Sequence, residues 1–339
     1  MRQWLERHWR SPRRWHLANV LLVPLSWLYG AVVALRRGLY RLGLKRRTRL
    51  ARPVVVVGNV VAGGAGKTPV TIALVHALQQ RGLRVGVLAR GYGRRSRGVR
   101  AVHADASASE VGDEPLLIHH ATGAPVYVAS RRAQAGQALL RAHPETDLLV
   151  CDDGLQHLAL VHDYALCVMP AWGIGNGRLL PAGPLRERWP RPVDAVLASA
   201  DAPPVASAPG AAPVLAMQRH LAGHAVDAAG QRHALAHIAQ APVIIAVAGI
   251  AQPEAFFAML EHAGLRLQAR VALPDHHDFG QLPPALQALP PGAVVLCTEK
   301  DAVKLWRLLP NALAVPLQVT LPQALIEAIA RLAPPARLP

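Results

Sequence analysis

Lys67 and Thr68, directly after Gly63-Gly64-Ala65-Gly66, are the residue types that hold the phosphates of a nucleoside triphosphate. Glycines let backbone N–H groups converge on phosphate oxygens with no Cβ in the way, and a helix N-terminus behind them adds partial positive charge. On that reading Lys67 meets the β- and γ-phosphates of ATP, and the Thr68 hydroxyl is a Mg²⁺ ligand. Val61 and Ala62 complete the candidate nucleotide loop, although the general pattern has glycine where Val61 stands. Pro69 is harmless there, because the first helical turn has no internal partner for its N–H. Mg²⁺ bridging two phosphates needs hard oxygen ligands beyond a threonine. Asp152 and Asp153, which end an apolar run at residues 147–151, are the carboxylates placed to supply them.

Other chemically capable residues come in short clusters. Arg90-Gly91-Tyr92-Gly93-Arg94-Arg95 is a basic loop at the end of an apolar run, where open α/β sheets bind ligands; it reads equally as phosphate-facing or as a solvated arginine loop. Asp113 and Glu114 precede a short apolar helix at residues 116–119, and helix capping accounts for only one of them. Ser130 is a candidate N-cap for a helix carrying Arg131 and Arg132. Two arginines in a first turn oppose the helix dipole, which points to an anionic ligand. Gln156 and His157 follow the aspartate pair, and Arg186 and Glu187 end a long irregular loop at residues 176–187. Asp275, His276, His277 and Asp278 have metal-ligand residue types, but they are consecutive and no second cluster completes a shell; general acid–base chemistry fits them better.

The elements that must position these residues read as an α/β protein. Residues 54–57 are a charge-free, β-branched run typical of a strand buried on both faces of a parallel sheet. Apolar residues then recur at helical spacing as far as Arg81, with Gly82 as the stop. Further strands are expected at 84–89, 125–129, 147–151 and 193–199. Residues 201–213 are rich in Ala and Pro, as linkers are. Beyond them, strands at 243–247, 267–273, 293–297 and 314–319 and a helix at 253–262 suggest a smaller α/β unit. The expected division is an N-terminal segment at 1–47, a nucleotide-binding core at 48–200, a linker at 201–215 and a smaller domain at 216–335.

With 339 residues, 52% hydrophobic and 17% charged, the chain is globular and long enough for two domains. Lys and Arg number 37 against 21 acidic residues, a formal charge of +16, so an anionic surface is an expected partner. Aromatics make up 4% with no base-stacking motif, which favours phospholipid over nucleic acid. Cys151, Cys167 and Cys297 each sit in an apolar run without CxxC spacing and read as buried thiols of a reducing compartment. Arg2, Arg7, Arg10, Arg13 and Arg14 precede an uncharged stretch at 15–35, and Arg36, Arg37, Arg41, Lys45, Arg46 and Arg47 follow it. The stretch is about long enough to span a bilayer, but Asn19, Pro24, Ser26 and Gly30 dilute it while Trp15, Trp27, Tyr29 and Tyr40 suit the headgroup level. An interfacial anchor is the preferred reading, with a span or a core helix as alternatives. No small-residue cleavage site follows, so a signal peptide is not expected.

Taken in order, the apolar basic N-terminus, GGAGKTP, RGYGR, GDEP, DDGLQH, LLPAGPLRE, PDHHDF and TEKDAVK resemble the tetraacyldisaccharide 4′-kinase family of lipid A biosynthesis. The resemblance implies a P-loop NTPase-like core with a mostly parallel sheet, a smaller α/β domain across the active site and an N-terminal membrane-associating helix. It implies transfer of the ATP γ-phosphate to the 4′-hydroxyl of a lipid-linked glucosamine disaccharide 1-phosphate, yielding lipid IVA. Lys67, Thr68, Mg²⁺ and one or both of Asp152 and Asp153 would neutralise and position the phosphates. The resemblance makes Asp113 the base, with a histidine of the PDHH segment holding it, His276 matching better than His277. Tyr92, Glu114, Arg131, Gln156, His157, Arg186 and Glu187 are the candidate substrate contacts. The expected location is the cytoplasmic face of the bacterial inner membrane, peripheral or monotopic, with no nucleic acid and no obligate protein partner. The alternative is a membrane-associated P-loop ATPase that switches partners. Such loops carry a lysine just before the double glycine, where this chain has Ala62.

Overall fold

The structure, a computed structural model, describes residue 9 and residues 18–200, 202 and 212–334. Strand β1, Val54–Gly58, starts with four consecutive valines and is buried throughout. Branching at Cβ suits valine to a pleated surface, and an uncharged run can be covered on both faces. Val55 and Val57 join one apolar core with α2 (Lys67–Gln79), while Val54 and Val56 join a second on the opposite face. On either side of β1 lie β5 (Leu148–Asp152) and β6 (Tyr164–Val168), both parallel to it. The nine-stranded sheet continues outward through β2 (Val85–Ala89), β4 (Val126–Val128) and β3 (Arg100–Ala101) on one side. On the other it continues through β7 (Ala195–Ser199), β8 (Val214–Leu221) and β15 (Leu317–Thr320). All pairings are parallel except at the two edges, β3 with β4 and β15 with β8. In such a sheet the loops after the strands gather at one end, where ligands bind.

A second sheet has six strands. Its parallel centre is β11 (Val243–Ala248), β12 (Ala269–Ala272), β13 (Ala293–Thr298) and β14 (Leu313–Val315). β9 (His224–Val226) and β10 (Arg232–Ala234) make the antiparallel edge, giving the order β10-β9-β14-β13-β11-β12. The apolar run at 314–319, which the sequence suggests is one strand, is two. Pro316 has no N–H for a ladder and lies between β14 in the small sheet and β15 in the large one. The last helix, Gln323–Ala330, packs Leu325, Ile326 and Ile329 into the core of the large sheet. Residues 216–335 therefore contribute to both sheets: the chain leaves the large sheet at β8 and returns at β15. Most of the Ala/Pro-rich stretch at 201–213 lies outside the described residues, and β8 begins one residue beyond it.

The N-terminal helix α1, Ala18–Arg41, lies along the loop at 176–187. Ser26 Oγ donates to Leu179 O at 2.8 Å and accepts from Ala182 N at 2.9 Å, while Tyr29 donates to Arg186 O at 2.8 Å. The opposite side of α1 exposes Leu25, Leu28, Val32 and Leu35 at three- and four-residue spacing, with Trp27 beside them. Among the described residues no helix is long and apolar enough to cross a membrane. Trp15 and the arginines expected before it lie outside the described residues.

Candidate active site

The cleft between the two sheets is a cavity of about 590 Å³, with the loop Gly63 to Thr68 on one side and Ile250, Phe256 and Met259 of the smaller sheet's loops and helix on the other. That volume suits a nucleotide-sized ligand. The loop leaves β1 through Gly58 and enters α2 at Gly66, whose φ of +70° is left-handed, a conformation glycine adopts without steric cost. Space is also tight: a Cβ on Gly64 would lie 2.6 Å from the Ala251 Cβ, and one on Gly66 would lie 2.7 Å from Arg219 Nη2. Val61 and Ala62 sit at the base of the loop, held by Leu185 and by Ala62 N donating to Pro184 O at 2.7 Å. Both glycine requirements and the bare helix N-terminus fit a phosphate chain.

Lys67 Nζ lies 3.5 Å from Asp153 Oδ1, and Arg186 Nη1 donates to the same oxygen at 3.1 Å. Burial favours the protonated form of Asp153, but Lys67, Arg186 and Arg132 outweigh it and hold its carboxyl below the ordinary range. Asp152, at the end of β5, is buried and accepts from Thr71 Oγ1 at 2.8 Å. Its burial, with the nearby Glu114 and Asp153 carboxylates, pushes its carboxyl up against the pull of Lys67. A divalent cation beside Thr68 and Asp152 would relieve that repulsion. Among the described residues no three carboxylates, histidines or cysteines are grouped as a metal site.

Asp113 opens the helix Asp113–Thr122, starting three residues before the expected apolar run, and its Oδ1 accepts from Glu114 N at 3.1 Å. Its Oδ2 faces His276 Nδ1 at 3.0 Å and Lys304 Nζ at 3.4 Å, both from the smaller sheet's side. Burial would raise the Asp113 carboxyl, but the His276 hydrogen bond and the charges of Lys300 and Lys304 hold it far below the usual carboxylate range. His276 has a left-handed φ of +63° and Asp153 one of +48°, uncommon for residues with a Cβ. Such conformations cost of order 1 kcal/mol and cluster where geometry serves a ligand. His277 turns away: its Nδ1 accepts from Phe279 N at 3.1 Å, so His276 alone of the pair reaches Asp113.

Tyr92 is exposed at the cleft mouth with its ring 5.2 Å from that of His276. Glu114 lies 3.7 Å from Lys300. Gln156 donates to Asn59 O at 2.8 Å and to Glu187 at 2.7 Å. Glu187 is buried and pairs with Arg191 at 2.5 Å and with Arg37 of α1 at 3.4 Å, so it ties α1 to the core. His157 Nε2 accepts from the Arg132 backbone N–H at 3.3 Å; its burial, with Arg132, Arg36 and Arg90 around it, pulls its pKa down to about 4.

The arginine pair at 131–132 is arranged differently from the expectation. The helix starts at Arg132 with Arg131, not Ser130, as its N-cap, and the Arg131 side chain makes no cap hydrogen bond. Arg131 is exposed, whereas Arg132 is buried with its Nε unpartnered, so the inward member of the pair is Arg132. Three further cations are ones that sequence reasoning misses: Lys300 and Arg219 line the cleft, and Lys304 reaches Asp113. Lys300 and Lys304 lie four apart on the helix Glu299–Leu305, a spacing that puts both on one face and is legible in TEKDAVK. Arg219, on β8, has no sequence signal at all.

The family model described as tetraacyldisaccharide-1-P 4′-kinase matches residues 18–333. A tetraacyldisaccharide 4′-kinase of Acidovorax sp. (strain JS42) is 57% identical over 315 residues, covering 92% of this chain and 90% of that protein. One from Polaromonas naphthalenivorans (strain CJ2) is 51% identical over 337 residues, 97% of this chain and 94% of that protein. The crystal structure of "apo" form LpxK from Aquifex aeolicus in complex with ATP superposes with a TM-score of 0.79 at 27% identity, over 94% of this chain and all of that one. The chain belongs to the tetraacyldisaccharide-1-P 4′-kinase family.

Proposed function

We infer that the chain is an ATP-dependent phosphotransferase that moves the γ-phosphate of ATP to the 4′-hydroxyl of a tetraacyldisaccharide 1-phosphate, forming lipid IVA. The observation that carries this beyond family membership is the Asp113–His276 pair, 3.0 Å apart, whose His276 lines the same cleft as the Lys67 loop. Phosphoryl transfer asks a protein for positioning, charge neutralisation and an acceptor for the hydroxyl proton. Lys67 supplies positive charge beside the glycine loop. Bound Mg²⁺, held through Thr68 and Asp152, would neutralise further phosphate charge. Asp113 is ionised at neutral pH, the state a proton acceptor needs, and His276 fixes its orientation. With a loose transition state little bond to the nucleophile has formed, so alignment of the hydroxyl counts for more than a strong base. Tyr92, Glu114 and Arg186, which line the cleft, are then substrate-facing groups. Gln156, Glu187 and His157 hold those groups in place.

The same reading places the protein on the cytoplasmic face of the inner membrane. Leu25, Leu28, Val32 and Leu35 form an exposed apolar stripe beside Arg36 and Arg41, the composition of a helix lying in an anionic interface where the lipid substrate resides. The test is γ-labelled ATP supplied to the full chain with lipid A disaccharide precursor in mixed micelles, and with DNA or RNA in parallel. Wild type labels only the disaccharide and Lys67→Ala labels nothing. ATP hydrolysis with no labelled lipid would instead favour a switching ATPase.

A further inference from the structure

Of the cleft-lining cations held back from solvent, Arg219 is the one for which the described residues offer no carboxylate; Arg90 also borders the cleft but is exposed. Lys67 and Arg186 lie against Asp153, and Lys300 lies against Asp275 and Glu114. Arg219, by contrast, donates through Nη2 to Ala65 O at 2.8 Å, and its buried Nε has no partner. Burial pulls its pKa down with no opposing charge beside it. A guanidinium withdrawn from water is stable only when paired, and five donors in a planar fork match phosphate oxygens. Its position says which anion that would be. It packs on the nucleotide loop so closely that a Cβ on Gly66 would lie 2.7 Å from its Nη2 and 2.9 Å from its Cζ. It also borders the same cavity as Gly63 to Thr68.

We propose that Arg219 is a nucleotide-binding residue whose counter-ion is the phosphate chain of ATP and ADP, and that its bond to Ala65 O aims the fork at those phosphates. The proposal rests on the reading of the cleft as a nucleotide site. Arg219 stands on β8 and, through its register with Val319 of β15, at the place where the chain both leaves and re-enters the large sheet. A phosphate bound there engages the strand that carries the smaller sheet. On the proposed function Lys67 and Asp113 serve the reacting groups, and Arg219 acts through nucleotide affinity.

The experiment measures ATP, ADP and adenosine affinity by calorimetry on the full chain and on Arg219→Met, Arg219→Lys and Lys67→Ala, with kcat and KM in parallel. Losing a charge-assisted phosphate contact should weaken ATP and ADP by about 10- to 100-fold in Arg219→Met. Adenosine affinity and the KM for the disaccharide should not move, the KM for ATP should rise in step with the loss of affinity, and Arg219→Lys should fall between. Unfolding curves without ligand show whether each variant is folded; if Arg219→Met is not, Arg219→Lys carries the test. Unchanged ADP affinity in folded Arg219 variants, with Lys67→Ala impaired, overturns this proposal alone. An equal loss for adenosine overturns it in favour of contact with the base. Unchanged nucleotide affinity in Lys67→Ala as well would overturn the nucleotide site itself.

Discussion

Gly66→Ala separates the conformational from the functional demand on the nucleotide loop. Gly66 has φ +70°, where an alanine costs about 1–2 kcal/mol. The new Cβ would also meet Arg219 Nη2 at 2.7 Å, but that is the end of a flexible side chain that can move, so little further stability should be lost. Gly82, after α2, has φ +80° and no atom within 4 Å of where a Cβ would stand, which makes Gly82→Ala a control with the same strain and no neighbour in the cleft. Both variants should lose about 1–2 kcal/mol, or a few degrees in Tm for a protein of this size. Only Gly66→Ala should also lose ATP affinity, by at least about tenfold, because it shifts the loop amides and the guanidinium together. Thermal unfolding with and without ATP, and calorimetry with ADP, read the two effects separately. Wild-type nucleotide affinity in Gly66→Ala, or an equal loss in Gly82→Ala, would refute the reasoning.

Two further outcomes follow from contacts to the rest of the molecule. Replacing Leu28 and Val32 by glutamate should weaken binding to anionic liposomes and raise the KM for the lipid substrate, leaving ATP affinity unchanged, since both side chains point away from the core; co-sedimentation at low and high salt measures it. Asp113 has a depressed pKa, so its ion pairing stabilises the fold above about pH 4, the unfolded value, and the contribution fades as pH falls toward the folded value. Asp113→Asn should therefore lower stability at pH 7, where Lys304 is left with His277 O as its remaining partner, and flatten the stability profile below about pH 4 in urea titrations.

Residues 54–57 were legible as a doubly covered strand because a valine run has few other uses, and the glycine loop because glycine takes left-handed dihedrals without steric cost and leaves room for close packing. The aspartates at 152 and 153 were legible as a strand end meeting a charge requirement. What periodicity could not carry was membership in a sheet. β8 and β15 belong to the large sheet, and a proline between two short apolar runs does not say which sheet each run joins. Nor could spacing tell Arg131 from Arg132, since one residue of helix phase decides which side chain turns inward. Arg219 shows the same limit. Its importance comes from a strand distant in sequence lying against the loop, so no local pattern marks it. Asp113 and His276 were paired only through the family resemblance; their 163-residue separation has no signature of its own.

The account turns on Asp113 and His276 working as one unit across the two sheets. A kinetic double-mutant cycle of Asp113→Asn, His276→Ala and the double variant, at saturating ATP and disaccharide and with folded protein verified for each, tests that most directly. Each single variant should lose about 10²- to 10⁴-fold in kcat, and the double variant should be little worse than either. Fully multiplicative losses, or near-normal turnover by Asp113→Asn, would contradict it and move the proton acceptor to another carboxylate, Asp153 first.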